Sequence, residues 1–299
     1  MRFVNTHQIL SAIYSSGLLY PIPSNLTYFW NFGSLAGLAL GIQIVTGLAL
    51  TFWYIGSVNV AFSSVEFIMR EVNFGWLIRY LHANGASLFF VVVYLHMGRG
   101  LFFGSYTHPR EKLWMSGVII FLVMIITAFL GYVLPWGHMS YWAATVITSL
   151  LSVIPFFGTA LLLALLFYVW GGISIDQPTL SRVYGLHYLL PFILVGLVVL
   201  HIVLLHEHGS NNSIGMEKLD LISFHPYTIY KKLLGVIVVL FCFLEITLQY
   251  PNLLSHSDNY ILADFGVMST HIVPAWFFLP YYAILCLLSS CNVFKKPKR

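Results

Sequence analysis

The chain has 299 residues, 59% of them hydrophobic and only 8% charged, with a formal net charge of +4 and three cysteines. A soluble domain carries roughly 25% charged residues, so this chain cannot coat a water-facing surface and must be solvated largely by lipid. Its basic residues lie in loops and a tail, which argues against a nucleic-acid face. Cys242, Cys286 and Cys291 form no disulfide framework and no Cys-x-x-Cys-His haem-attachment motif.

No charged side chain occurs between Arg2 and Glu66 or between Lys112 and Asp176. Each gap can hold at least one helix of the ~20 residues that cross a bilayer. The first apolar run starts near Tyr28 and is too long for a cleavable signal. Five spans are predicted: Phe29–Trp53, Trp76–Phe103, Leu113–Leu134, Leu180–Leu205 and Leu233–Leu248. The uncharged stretch Pro135–Asp176, broken by Pro and Gly, reads as interfacial hairpin helices over Ala143–Leu151 and Thr159–Trp170. A last apolar segment, Ile272–Phe294, contains Pro274 and Pro280 and precedes Lys295, Lys296, Lys298 and Arg299.

Orientation follows from Lys and Arg in short loops. With the N-terminus inside, Arg2, Arg99, Arg110, Lys112, Lys218, Lys231 and Lys232 fall on the inner side, against Arg70, Arg79 and Arg182 outside. The basic tail then favours a sixth crossing through Ile272–Phe294, and its two prolines oppose one. The expected fold is an all-α membrane bundle of four core helices, a fifth span and an open question over a sixth. Residues 1–210 make the core; residues 211–299 hold the fifth span, an outer loop and the tail.

Four histidines form a grid. His82 and His96 lie on the second span, His187 and His201 on the fourth, and both pairs are 14 residues apart. At about 100° and 1.5 Å per residue, each pair shares a helix face within about 40° and is separated by about 21 Å. Spans two and four run parallel, so His82 meets His187 near the outer face and His96 meets His201 near the inner face. A single intramembrane histidine is ordinarily an interhelical contact. Two equal spacings on parallel helices point instead to two axial pairs, each holding one low-spin haem iron.

Glycines repeat the interval: Gly33 and Gly47 on the first span, Gly117 and Gly131 on the third. Small residues serve close helix packing, and a porphyrin edge needs the same bare backbone. Arg79 and Arg99 each lie three residues from a grid histidine. They suit haem propionates as charge-assisted partners, although interfacial snorkelling would place them similarly.

Long motifs then resemble one family along nearly the whole chain. Asn31-Phe32-Gly33-Ser34, Arg79-Tyr80-Leu81-His82-Ala83-Asn84-Gly85-Ala86, His96-Met97-Gly98-Arg99-Gly100, Gly131-Tyr132-Val133-Leu134-Pro135-Trp136-Gly137 and His206-Glu207-His208-Gly209-Ser210-Asn211-Asn212 resemble cytochrome b of the quinol–cytochrome c oxidoreductase, respiratory complex III. The plastid relative usually spaces its second histidine pair one residue wider and lacks a fifth span, so the respiratory branch fits better. The resemblance implies two non-covalent haem b groups, ubiquinol oxidation near the outer face and ubiquinone reduction near the inner face in a proton-translocating Q cycle. It implies as partners a Rieske iron–sulfur protein, a cytochrome c1-type subunit, and core and accessory subunits in a homodimeric complex, located in the mitochondrial inner membrane or, as runner-up, a bacterial plasma membrane. A di-haem anchor of a quinone-reducing dehydrogenase is the alternative, and a transporter with histidines along a proton path is a third class.

The resemblance also assigns Tyr132, Met139, Ala143, Ala144, Pro274, Trp276 and Phe277 to the outer quinol site, and Ser34, His206 and Lys231 to the inner quinone site. Five positions depart from the family pattern. Ala275 and Phe277 stand where the family has Glu and Tyr, Ala143 replaces a glycine, and Lys232 replaces an aspartate. His138 also replaces a glutamine and is expected to take over proton transfer at the outer site, as its unperturbed pKa near 6.5 suits that task. Family members continue past the position of Arg299 with further spans, which leaves a separate subunit, accessory proteins in their place, or an incomplete sequence as the alternatives.

Overall fold

The computed structural model describes residues 7–150, 160, 163–216, 220–268 and 272–294. Thr159, Arg2, Lys218 and the basic tail from Lys295 lie outside the described residues, so the hairpin start and part of the charge count concern residues not described. Among those described, five helices are long and apolar enough to cross a membrane. They are Tyr28–Leu50, Gly75–Phe102, Glu111–Val133, Gln177–His208 and Phe224–Gln249.

In chain order, a short helix α1 (Gln8–Ile13) leads to strand β1 (Pro21–Pro23), and a 3₁₀ turn at Tyr28–Asn31 opens α2 (Phe32–Leu50). Helix α3 (Ala61–Arg70) precedes α4 (Gly75–Phe102) and α5 (Glu111–Val133). Then come α6 (His138–Leu150), α7 (Gln177–His208), strand β2 (Leu221–Ser223), α8 (Ile229–Gln249) and α9 (Leu279–Phe294). The five predicted spans match these helices to within a few residues except at the start of the fifth, and residues 143–150 of the first predicted hairpin helix fall within α6, Leu151 lying outside the described residues. Of the second hairpin helix, Leu165–Trp170 is a π-helical turn. At 16 residues, α9 is shorter than the ~20 that cross a bilayer, and Pro280 stands in its first turn.

Helix ends follow local chemistry. At α7, the Asp176 amide donates to Thr179 Oγ1 at 3.3 Å, and Pro178 occupies the first turn. Its far end stops at Gly209, whose φ of 72° suits glycine; the Gly209 carbonyl accepts from Arg110 Nε at 2.9 Å. At the same end, β1 pairs antiparallel with β2, joining Ile22 to Ile222.

Helices α2 and α4 pack together, as do α5 and α7. Val199, Val203, Ile237 and Phe241 remain exposed, as lipid-facing side chains should. Because lipid tails are as apolar as leucine, interhelical cohesion comes from van der Waals fit and hydrogen bonds rather than from water exclusion. One buried cluster gathers Ala39, Leu40, Phe89, Phe90, Val93, Phe121, Met124 and Leu194 between the helices. Phe89, Phe90, Val93 and Leu194 fall in sequence between the two histidines of their own helices, so an apolar plug divides the bundle into two tiers.

Candidate functional site

Each tier brings one histidine of α4 against one of α7. The ring centres of His82 and His187 are 6.3 Å apart, and those of His96 and His201 6.4 Å. An iron between two imidazoles requires about 6.2 Å, from two metal–nitrogen bonds of about 2.0 Å and about 1.1 Å from each nitrogen to its ring centre. The described residues contain no cluster of three or more His, Cys, Asp or Glu able to hold a metal. Each tier therefore supplies two ligands, which suits an ion whose remaining positions come from a porphyrin.

Behind every ring stands a glycine. A methyl group on Gly33 would lie 3.2 Å from His96 Cε1, one on Gly47 3.0 Å from His82 Cε1, one on Gly117 3.3 Å from His201 Cε1, and one on Gly131 2.5 Å from His187 Cε1. The four glycines thus let α2 and α5 approach until the imidazoles are pressed between helices. The glycine grid and the histidine grid are one device.

Hydrogen bonds fix the tautomers. Thr46 Oγ1 donates to Ile42 O at 2.6 Å and lies 3.0 Å from His82 Nδ1. Its proton is committed, so its oxygen accepts from Nδ1–H, which leaves Nε2 of His82 a bare lone pair. Ser116 repeats the arrangement, donating to Leu113 O at 2.7 Å and lying 2.7 Å from His201 Nδ1. His187 Nδ1 donates to Thr127 O at 2.8 Å. His96 differs: Arg99 Nη2 is 3.2 Å from its Nδ1, and a guanidinium only donates. A carboxylate within reach of Arg99 would compete for that guanidinium and free His96 Nδ1. Arg99 Nε is buried without a partner, and the side chain lies over the Trp30 ring at 5.1 Å. This orphaned donor fits a propionate. Sequence reasoning missed Thr46 and Ser116, yet each immediately precedes a grid glycine, a repeat visible in the sequence.

A cavity of about 570 Å³ opens at the outer tier. His82, His187, Gly47, Gly131, Arg79, Tyr132, Ala275 and Phe277 are among the residues lining it. Tyr54, also in the wall, donates to Leu134 O at 2.8 Å; burial raises its phenol pKa, so it stays a donor. The loop before α9 is tied to the start of α6. Ser140 N and Oγ donate to Asn259 Oδ1 at 2.7 and 2.8 Å, and His138 N donates to Ile261 O at 2.8 Å. Any side chain on Gly137 would collide with Asn259.

Of the residues expected at the outer quinol site, Tyr132 and Phe277 line this cavity. Phe277 stacks on Phe90 at 4.2 Å, and its carbonyl accepts from Tyr94 OH at 2.9 Å. Trp276 Nε1 donates to Ser87 Oγ at 3.1 Å. Pro274, Met139, Ala143 and Ala144 are buried. Like Trp276, Pro274, Met139, Ala143 and Ala144, His138 is not among the residues lining the cavity. Its Nδ1 accepts from the Asp264 amide at 3.3 Å, and its ring packs edge-on to Trp142. The backbone of residues 261–264 holds it, so the proton-accepting part expected of it lacks geometric support.

At the inner end, Ser34 Oγ donates to Asn31 O at 2.8 Å, and Asn31 Nδ2 donates to Lys231 O at 3.5 Å. Lys231 Nζ donates to Leu26 O at 2.6 Å. His206 instead stacks on Tyr20, ring centres 4.3 Å apart. Burial raises the Tyr20 phenol pKa, and nearby Arg110 opposes the shift.

An apolar bundle that clasps imidazole couples over bare glycine backbone, with no thioether attachment motif, defines a b-type haem protein of the membrane. The comparisons agree. A family model described as cytochrome b/b6/petB matches residues 18–209. Cytochrome b of Dictyostelium citrinum is 52% identical over 286 residues, covering 95% of this chain and 73% of the relative. Cytochrome b of Rickettsia bellii is 56% identical over 274 residues, covering 91% and 68%. A solved structure titled hyperthermophilic respiratory Complex III superposes with a TM-score of 0.88 at 33% identity, covering 96% of this chain and 81% of that one. The chain belongs to the cytochrome b family, multi-pass membrane proteins that bind haem b and carry electrons.

Proposed function

We propose that this chain is the di-haem subunit of a quinol–cytochrome c oxidoreductase working by a Q cycle. The observation that carries it is the pair of imidazole couples at iron-spanning distance, one per tier, each backed by two glycines. When bound, the haems supply one-electron carriers at two depths of the membrane. His82 and His187 would hold the outer one, His96 and His201 the inner one; Arg79 and Arg99 would pair with propionates. Thr46, Ser116 and Thr127 orient three of the four rings and keep Nε2 available.

The outer cavity takes a ubiquinol head. Phe277, locked on Phe90, forms an apolar wall, and Tyr132 offers a hydroxyl. Ubiquinol gives up two electrons and two protons: one electron passes to a Rieske iron–sulfur partner, the other enters the bundle at the His82–His187 tier. Ala275 cannot accept a proton, and among the other wall residues Glu66 and His256 provide a carboxylate and an imidazole. At the inner end, Ser34, His206 and Lys231 would bind ubiquinone, with His206 exchanging its proton. A cytochrome c1-type subunit, accessory subunits and a second copy complete the assembly, in the mitochondrial inner membrane.

The test is a rapid-mixing experiment on the purified complex with quinol as reductant. Haem b should be reduced and then reoxidised, and an inner-site quinone inhibitor should block the reoxidation. Reoxidation indifferent to such an inhibitor would favour a simple membrane anchor and defeat the Q-cycle reading.

A further inference from the structure

Among the described residues, two cations at the inner tier have no counter-ion. Ion pairs among the described residues involve neither Arg99 nor Lys232. Lys231, one residue away, is satisfied by the Leu26 carbonyl. Lys232 instead holds its ammonium over the Phe224 ring at 4.7 Å, half-buried near the start of α8. The turn Tyr28–Asn31 joins the two: Arg99 lies over the Trp30 ring at 5.1 Å, and Asn31 Nδ2 donates to the carbonyl of Lys231, the neighbour of Lys232, at 3.5 Å. The Arg99 guanidinium also touches His96 and has a buried, unpartnered Nε. Two desolvated cations beside each other are unfavourable unless an anion sits within reach of both.

We propose that Lys232 and Arg99 form a two-cation seat for a propionate carboxylate of the haem held by His96 and His201. The seat does three things. It gives the two cations a shared anionic partner and leaves one net positive charge. It draws Arg99 onto the carboxylate, which frees His96 Nδ1 to carry its proton and leaves Nε2 for iron. It also adds positive charge beside that haem, which favours the reduced form. This proposal rests on the haem reading above and concerns one tier only.

The test is an equilibrium redox titration of the purified complex, wild type against Lys232→Gln and Lys232→Arg, with haem content measured alongside. A unit charge about 10 Å away at an effective dielectric near 20 changes a reduced-to-oxidised ratio by roughly tenfold. At the ambient potential where the wild-type inner haem is half reduced, Lys232→Gln should lower its ratio at least threefold. Lys232→Arg should keep it within threefold, and the outer haem should not respond. Selective loss of the inner haem in Lys232→Gln but not in Lys232→Arg would support the same seat. A ratio in Lys232→Gln within threefold of wild type overturns the proposal, as does an equal shift of both haems or loss of the inner haem in both variants. Absence of haem from the wild-type inner tier would defeat the haem reading itself, a distinguishable result.

Discussion

Replacing Gly131 with alanine should damage the outer haem tier and spare the inner one. The added methyl would lie 2.5 Å from His187 Cε1 and 3.1 Å from both ring nitrogens, short of the 3.4 Å of ordinary contact by 0.9 Å at the nearest atom. His187 cannot swing aside cheaply, since its Nδ1 is bonded to the Thr127 carbonyl. Overpacking of this kind costs about 1–3 kcal/mol, which at about 1.36 kcal/mol per tenfold lowers haem affinity at that tier by roughly tenfold to a hundredfold. Alanine at Gly47, Gly33 and Gly117 meets its histidine at 3.0, 3.2 and 3.3 Å, so the damage should fall in that order. Haem content and redox titration of the four variants measure this. The reasoning fails if Gly117→Ala is as damaging as Gly131→Ala, or if Gly131→Ala removes the inner haem.

Ser116→Ala takes away the acceptor for His201 Nδ1–H, making that ligand less electron-donating; the inner haem midpoint should rise by the equivalent of about 1 kcal/mol, and an unmoved value would contradict it. Ala143 is fully enclosed in α6, and its methyl should crowd methoxyacrylate-type inhibitors, so Ala143→Gly should raise sensitivity roughly tenfold or more by relieving overpacking; equal inhibition of both forms refutes this. His138→Gln should leave the pH profile of quinol oxidation unchanged, because its Nδ1 already serves the Asp264 amide; loss of a titrating limb would restore the histidine to the proton path.

Long continuous apolar runs made the five crossings legible, because a lipid-facing helix must be apolar around most of its circumference. The shared spacing of histidines and glycines made the tiers legible too, since helical periodicity converts equal intervals into equal depths. Other features required three dimensions. Helix α3 is short and amphipathic, and its sequence Ala61–Arg70 gives no sign of packing against α4. The β1–β2 pair joins segments about 200 residues apart. Nothing in residue type told that His138 would be captured by backbone from 261–264, or that Lys231 and Lys232, adjacent in sequence, would end with and without a carbonyl partner. Helix α9 begins at Leu279, after the 3₁₀ turn Trp276–Phe278, so Pro274 stays outside it.

The most direct test is haem stoichiometry in the purified complex, followed through single-ligand variants. Two haems b should be found for each copy of this chain, His82→Leu or His187→Leu should remove only the outer one, and His96→Leu or His201→Leu only the inner one. A wild-type chain carrying one haem or none, or both haems surviving replacement of all four histidines, would contradict the account.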